Sequence, residues 1–220
     1  MPANITIRQE VPSDHRDVEE ITRDAFWDEN VPGCDEHYLA HKLRTSSAFV
    51  PELDLVAEQD GVIIGNIMYA VAKIIGMDGN HHRVLTFGPL SVKPERQGEG
   101  IGSLLVRYSL NLARELGFEA VLIYGDPDYY KRFGFRPARA FGIYTSYKAY
   151  SPALQVLELI TGGLKGIRGA FEEGEAYHLD PEEAAAFDLL FSPREKGFRE
   201  SQLRFQEMLE ASVPIDIHSD

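Results

Sequence analysis

Apolar positions recur with two different periods along this chain, and the changes of period mark out its elements. Ile5–Arg8 alternates and predicts a short strand. Ser13-Asp14 then offers an N-cap, and Val18, Ile21, Ala25 and Phe26 fall on one face of a helix ending near Trp27. After a loop carrying Pro32-Gly33, Tyr38, Leu39 and Leu43 mark a second helix over 36–45. Leu53–Glu58 and Val62–Ile75 are β-rich runs joined across Gln59-Asp60-Gly61, and Asp-Gly in that setting predicts a hairpin. A turn at Gly76–Asn80 leads into a strand over Val84–Val92, which Lys93-Pro94 ends because proline cannot donate into a ladder. These runs predict an antiparallel meander.

From Ile101 the period becomes helical: Ile101, Leu104, Leu105, Tyr108, Leu112 and Leu116 share a face, and Gly117 is a natural C-terminal cap. Glu119–Tyr124 is a short apolar strand, and a right-handed crossover would lay it parallel to 84–92. Asp126-Pro127 starts a short helix over Asp128–Phe133, and Phe141–Tyr147 and Leu154–Ile160 are the last strands predicted. Beyond residue 160, Gly162, Gly163, Gly166, Gly169 and Gly174 thin out any regular pattern. Asp180-Pro181 begins a helical turn with proline at its first position, and Arg199–Ala211 reads as a terminal helix. The economical organisation is one α/β (α+β) domain over 1–160 with an extension, 161–220, packed on it.

Composition narrows the function classes. No apolar run approaches the roughly 18 residues of a membrane helix, and the first residues lack the layout of a signal peptide. One cysteine, Cys34, excludes an internal disulfide and a cysteine-based zinc site. We expect a cytoplasmic protein with no metal. A net charge of −13 argues against nucleic acid or an anionic membrane as partner. Between Ser91 and Ala140, however, eight Lys/Arg outnumber six Asp/Glu, whereas residues 10–60 carry 4 basic and 14 acidic groups. An anionic ligand near the first region and a cationic one near the second would fit, as would a solvated acidic surface.

The stretch between strand 84–92 and helix 101–116 carries the most chemistry. Gly98, Gly100 and Gly102 leave backbone N–H groups uncovered at a helix N-terminus, a place to hold phosphate. A Walker loop would need a lysine before Ser103, which is absent. A dinucleotide fingerprint would need glycine where Ser103 stands, and the antiparallel meander is wrong for a doubly wound sheet.

Gln97-Gly98-Glu99-Gly100-Ile101-Gly102 instead fits Gln/Arg-x-x-Gly-x-Gly/Ala, preceded by Leu90-Ser-Val-Lys-Pro-Glu and followed by Tyr130-Lys-Arg-Phe-Gly-Phe135. With that loop and box the chain resembles the GNAT superfamily of acetyl-CoA-dependent N-acetyltransferases over Ile5 to Ile160. The resemblance implies a GNAT-like, mixed but mostly antiparallel sheet of six to seven strands flanked by helices. It further implies that Leu90, Ser91 and Val92 meet pantetheine through main-chain groups, the Leu90 N–H serving as oxyanion donor. Arg96, Gln97, Gly98, Glu99, Gly100, Ile101, Gly102 and Ser103 would wrap the pyrophosphate, with Lys93 and Arg96 as further phosphate partners or merely solvated loop charges. Tyr130 takes the position of the general acid that protonates the CoA thiolate, and Tyr129 is its decoy. No general base is legible. Glu29 ranks first for its place between the first two helices, ahead of Glu36, His81, His82, Asp126 and water relayed by a carbonyl.

The resulting expectation is an N-acyltransferase that moves acetyl from acetyl-CoA to a small-molecule or peptide primary amine by direct attack. Its rivals are a non-catalytic acyl-CoA sensor and a nucleotide-dependent oxidoreductase. Nothing adjacent in sequence reads as a base that would make Cys34 an acyl carrier. The extension closes over the acceptor site, makes a homodimer, or does neither.

Overall fold

Apolar side chains alternate along the longest strands and give the sheet two buried faces, each covered by helices. In the computed structural model, which describes residues 5–215, the chain runs β1 (Ile5–Gln9), α1 (His15–Phe26), α2 (Glu36–Leu43), β2 (Leu55–Gln59), β3 (Val62–Gly76), β4 (His81–Val92), α3 (Ile101–Glu115), β5 (Ala120–Tyr124) and α4 (Pro127–Tyr130). It continues through β6 (Arg136–Pro137), β7 (Ile143–Thr145), β8 (Ala149–Tyr150), β9 (Leu154–Glu158), β10 (Gly169–Glu172), α5 (Pro181–Asp188), α6 (Glu200–Glu210) and β11 (Val213–Pro214). Among the described residues nine strands form one sheet with the path β1-β2-β3-β4-β5-β9-β6, and β10 joins it beside β3 and β7. β4–β5 and β7–β10 are parallel; the other pairs are antiparallel. β8 pairs β11 in a separate ribbon.

One face buries Ile101, Leu105 and Val106 of α3 against Ile67, Tyr69, Leu85, Phe87, Val121 and Ile123. The fully buried Tyr69 keeps its hydroxyl satisfied by Ser109 Oγ at 2.9 Å. The opposite face receives Val18 and Ile21 of α1 on Val56 and Ile63, and Leu39, Ala40 and Leu43 of α2 on Met68 and Ala70. Leu122, Ile74, Val84 and Phe171 continue that second face. At about 25 cal/mol per Å² of apolar surface, such burial is the main stabilising force.

The predicted meander and crossover match the structure closely, but two regions differ. The strand expected over 141–147 shrinks to Ile143–Thr145 because Ala138–Phe141 form a 3-10 turn, and the one over 154–160 stops at Glu158. The glycine-rich stretch after 160 contains a strand, β10, absent from the sequence-based prediction. It pairs Gly169–Glu172 with Gly76–Lys73 of β3 and runs parallel to β7. Gly169 marks a close approach of backbones here: a Cβ would run into the carbonyl of Ile75. The extension is further tied down by Asp188, 2.6 Å from Arg23, and by the Trp27 indole N–H donating to Glu195 O at 3.0 Å. The predicted cap at Asp180 forms, accepting from the N–H groups of Glu182 and Glu183.

A buried charge cluster joins β1, α1 and α2. Arg44 bridges Glu10 and Glu19 at 2.7 and 2.9 Å. Asp54 lies beside Glu10 with its Oδ1 unpartnered, and burial, then the hydrogen bond and charge of Glu10, push its carboxyl well above the usual range. Folding therefore favours the proton on Asp54. That contribution to stability is complete below the ordinary carboxylate value near 4 and drains away as pH rises. Asn mimics the protonated group, so the melting temperature of Asp54→Asn should gain on that of the wild type between pH 5 and pH 8. An advantage that shrinks over that interval would contradict burial as the cause.

Candidate active site

β4 and β5 are registered at Leu85↔Val121 alone. Farther along, β4 carries a bulge: Ile67 faces Leu90 and Tyr69 faces Phe87, so β4 spends three residues where β3 spends two. The extra residue bends the strand and strengthens its twist, carrying it away from β5. The Lys93 N–H donates to Ile64 O at 3.0 Å. Alternation then turns the backbone of Ser91 toward β3, and turns that of Leu90 and Val92 into the gap that β5 has left. The Gln97 side-chain amide donates to the carbonyl of Val92 at 3.3 Å.

The glycine turn follows. Gly98 and Gly100 take φ of +81° and +87°, conformations that disfavour any residue with a Cβ, and open space surrounds both. Gly100 caps α3, and the Leu104 N–H is bonded to Gly100 O. The N–H groups of Ile101, Gly102 and Ser103 precede that bond and lack intrahelical acceptors, so they present positive charge where the helix begins.

A cleft of about 550 Å³ joins the gap to the turn. It brings together Leu90, Val92, Arg96, Gln97, Gly98, Gly100, Ile101, Gly102, Ser103, Tyr130 and Glu29 from the sequence-based set. Ser91 and Glu99 are not among its lining residues. Ser91 is buried on the other side of the strand, its hydroxyl donating to Thr22 Oγ1 at 3.1 Å, and Glu99 holds Arg96 at 2.8 Å. Arg96 also donates to Gln59 Oε1 at 2.8 Å, which commits its guanidinium to the loop itself, and Lys93 faces a neighbouring groove. Tyr129 and Arg132 were not in the expected set, yet both line the cleft. The Arg132 guanidinium lies 4.5 Å over the Tyr129 ring, and the Tyr129 hydroxyl is 3.1 Å from where a Cβ on Gly102 would sit. The charge excess around 131–139 was the available signal for Arg132; the proximity of Tyr129 had none.

Asp126 caps α4 by accepting from the Asp128 N–H at 2.8 Å, and thereby sets the helix that carries Tyr130. The Tyr130 ring packs between Phe87, Phe135 and Tyr129, with centroids 5.8, 5.6 and 4.9 Å away. Burial, then the nearby Tyr129 and Asp126, holds its hydroxyl above the usual phenol range, protonated at neutral pH. Glu29 lines the cleft half-exposed, 3.8 Å from Arg199. His81 and His82 start β4, at the end remote from the cleft. Cys34 does have a histidine near it: His37 Nδ1 is 3.6 Å from Sγ, and His37 Nε2 is 3.1 Å from Asp188. Burial pushes the thiol up and the imidazole down to about 4, so the pair is a neutral packing contact.

A family model described as an acetyltransferase (GNAT) domain matches residues 51–137. The chain is 30% identical over 173 residues to the uncharacterized N-acetyltransferase YhbS of Escherichia coli strain K12, covering 78% of this chain and 98% of that protein. This chain belongs to the GNAT acetyltransferases. The crystal structure of the E. coli YhbS protein in complex with CoA superposes with a TM-score of 0.71 at 29% identity, covering 81% of this chain and 95% of that one. A GNAT acetyltransferase from Brucella melitensis, in complex with acetyl-CoA, gives 0.63 at 30% identity, covering 79% and 98%. Among the described residues no group of three or more His, Cys, Asp and Glu could hold a metal, and no helix is long and apolar enough to cross a membrane.

The seat of Tyr130 depends on Gly125, where a Cβ would overlap the tyrosine ring. Gly125→Ala should cost about 1–3 kcal/mol by denaturant unfolding, and that cost should vanish when Tyr130 is also replaced by Ala. A penalty that persists in the double variant would place the conflict elsewhere.

Proposed function

We propose that this acetyltransferase moves an acetyl group from acetyl-CoA to a primary amine by direct attack within a ternary complex. The reading is carried by one observation: the gap between β4 and β5 leads directly to a glycine turn at a helix start, with Tyr130 beside it. The two relatives of 29% and 30% identity hold CoA and acetyl-CoA, which supports the same ligand here. Bound acetyl-CoA supplies an activated acyl group as its thioester.

The residues divide the work. The N–H groups at the start of α3 and the Gly98–Gly102 backbone fit a pyrophosphate, with Arg132, stacked on Tyr129, a cation on the opposite wall of the cleft. Leu90 and Val92 offer main-chain partners to the pantetheine arm. The Leu90 N–H, aimed into the gap, meets the charge that builds on the thioester oxygen, a contact worth about 3 kcal/mol in comparable sites. Tyr130 stays protonated because it is buried, and gives its proton to the departing thiolate. Glu29, exposed at the mouth, draws in a cationic acceptor. Among the described residues, 5–160 would form the transferase domain, with 161–215 packed on it.

A CoA sensor would bind without turnover. Tyr130→Phe separates the two: it should lower kcat by about 10²-fold or more while acetyl-CoA still raises the melting temperature. Unchanged turnover with a wild-type thermal shift would remove Tyr130 from the mechanism, and no thermal shift in the wild type would remove acetyl-CoA.

A further inference from the structure

The side of the β4–β5 gap away from α3 is covered by the extension. Extending the alternation of β10 by one residue puts Glu173 on the face of Phe171, whose ring centroid is 6.0 Å from that of Tyr124 at the end of β5. The chain then turns through Glu175–Tyr177, and the Tyr177 hydroxyl donates to the carbonyl of Gly88, inside the β4 bulge, at 3.3 Å. Glu173 lies within electrostatic range of Tyr124, at the end of β5, and of Tyr177, which reaches β4 from the extension through Gly88. Among the described residues it has no hydrogen bond or ion pair. Nothing in the packing explains a carboxylate there.

We propose that Glu173 is the catalytic carboxylate for the acceptor, receiving its ammonium group from the face opposite α3 and taking its proton. The inference rests on the acetyltransferase reading above. In the step it describes, the amine nitrogen bonds to the acetyl carbon as the carbon–sulfur bond breaks. The ammonium first gives one proton to Glu173, Tyr130 gives its proton to the thiolate, and the second proton shed by the new amide nitrogen returns to the Tyr130 oxygen.

The surroundings also select a class of acceptor. Tyr124 and Tyr177 flank the carboxylate, Tyr147 acts on Tyr124, and among the described residues no second acid pairs with Glu173. One negative charge among aromatic rings fits a monoamine on an aromatic or apolar body, through charge and cation–π contact. Burial holds the Glu173 carboxyl up at about 7, within reach of a proton exchange at neutral pH. Among the described residues Tyr124 and Tyr177 are the titratable groups it acts on, and burial keeps both hydroxyls protonated through that range.

The test uses the full-length protein, acetyl-CoA and phenethylamine, with thiol release followed from pH 5.5 to 9. For the wild type, kcat should rise with pH through an apparent pKa near 7 as Glu173 ionises. Glu173→Gln should lose that limb and about 10²-fold in kcat, with the acetyl-CoA thermal shift unchanged. Glu173→Asp should keep the limb at a reduced rate, which a purely structural role would not produce. A Gln variant with the wild-type profile overturns the proposal, and so does a wild type that binds acetyl-CoA but acetylates no phenethylamine. If acetyl-CoA itself gives no thermal shift, the acetyltransferase reading fails first, and the two failures are told apart.

Discussion

The structure depends on a parallel strand pair that is allowed to come apart. β4 is held on one side by β3 along its length, and on the other it meets β5 at Leu85↔Val121 before the two diverge. A sheet interior ordinarily leaves no backbone group unpaired, because an unmade hydrogen bond there costs about 1–3 kcal/mol. The bulge opposite Met68 breaks that rule in one place, and leaves the Leu90 backbone and the Val92 N–H facing the gap. On the proposed reading, a peptide-like ligand arm would complete the sheet by pairing with them.

The elements around the gap each serve it. The strand feeds a turn whose two left-handed glycines deliver the start of α3 to the same cleft. The crossover through α3 returns the chain to β5 and then to α4, which Asp126 caps and whose Tyr130 fills the remaining wall. On the far side α1 and α2 cover β2 to β4, and β10 with Tyr177 closes the face that the helices leave. On the proposed reading, donor and acceptor approach one opening from opposite faces.

Much of this was readable in the residues because it rests on local rules. Asp60-Gly61 announced its hairpin, Lys93-Pro94 the end of β4, and the spacing from Ile101 to Leu116 the helix behind the glycines. The loop and the tyrosine box placed most of the cleft lining. What escaped was long-range. Gly169 resembles a breaker, yet its missing Cβ is what lets β10 lie against Ile75. Ser91 sits within the motif but its side chain belongs to the opposite face, where it meets Thr22. Glu99 and Arg96 satisfy each other rather than a ligand. Glu173 stands in a stretch without periodicity, and its surroundings exist only once the extension has folded back on β4 and β5.

The account is tested most directly by hydrogen–deuterium exchange of the amides with and without acetyl-CoA. Protection should rise at two separate segments, 90–92 in the opened strand and 98–103 in the glycine turn, with Tyr129 and Tyr130 following. Binding that leaves the amides of Leu90 and Val92 exchanging at their free rate would contradict the claim that this gap is where the thioester arm is held.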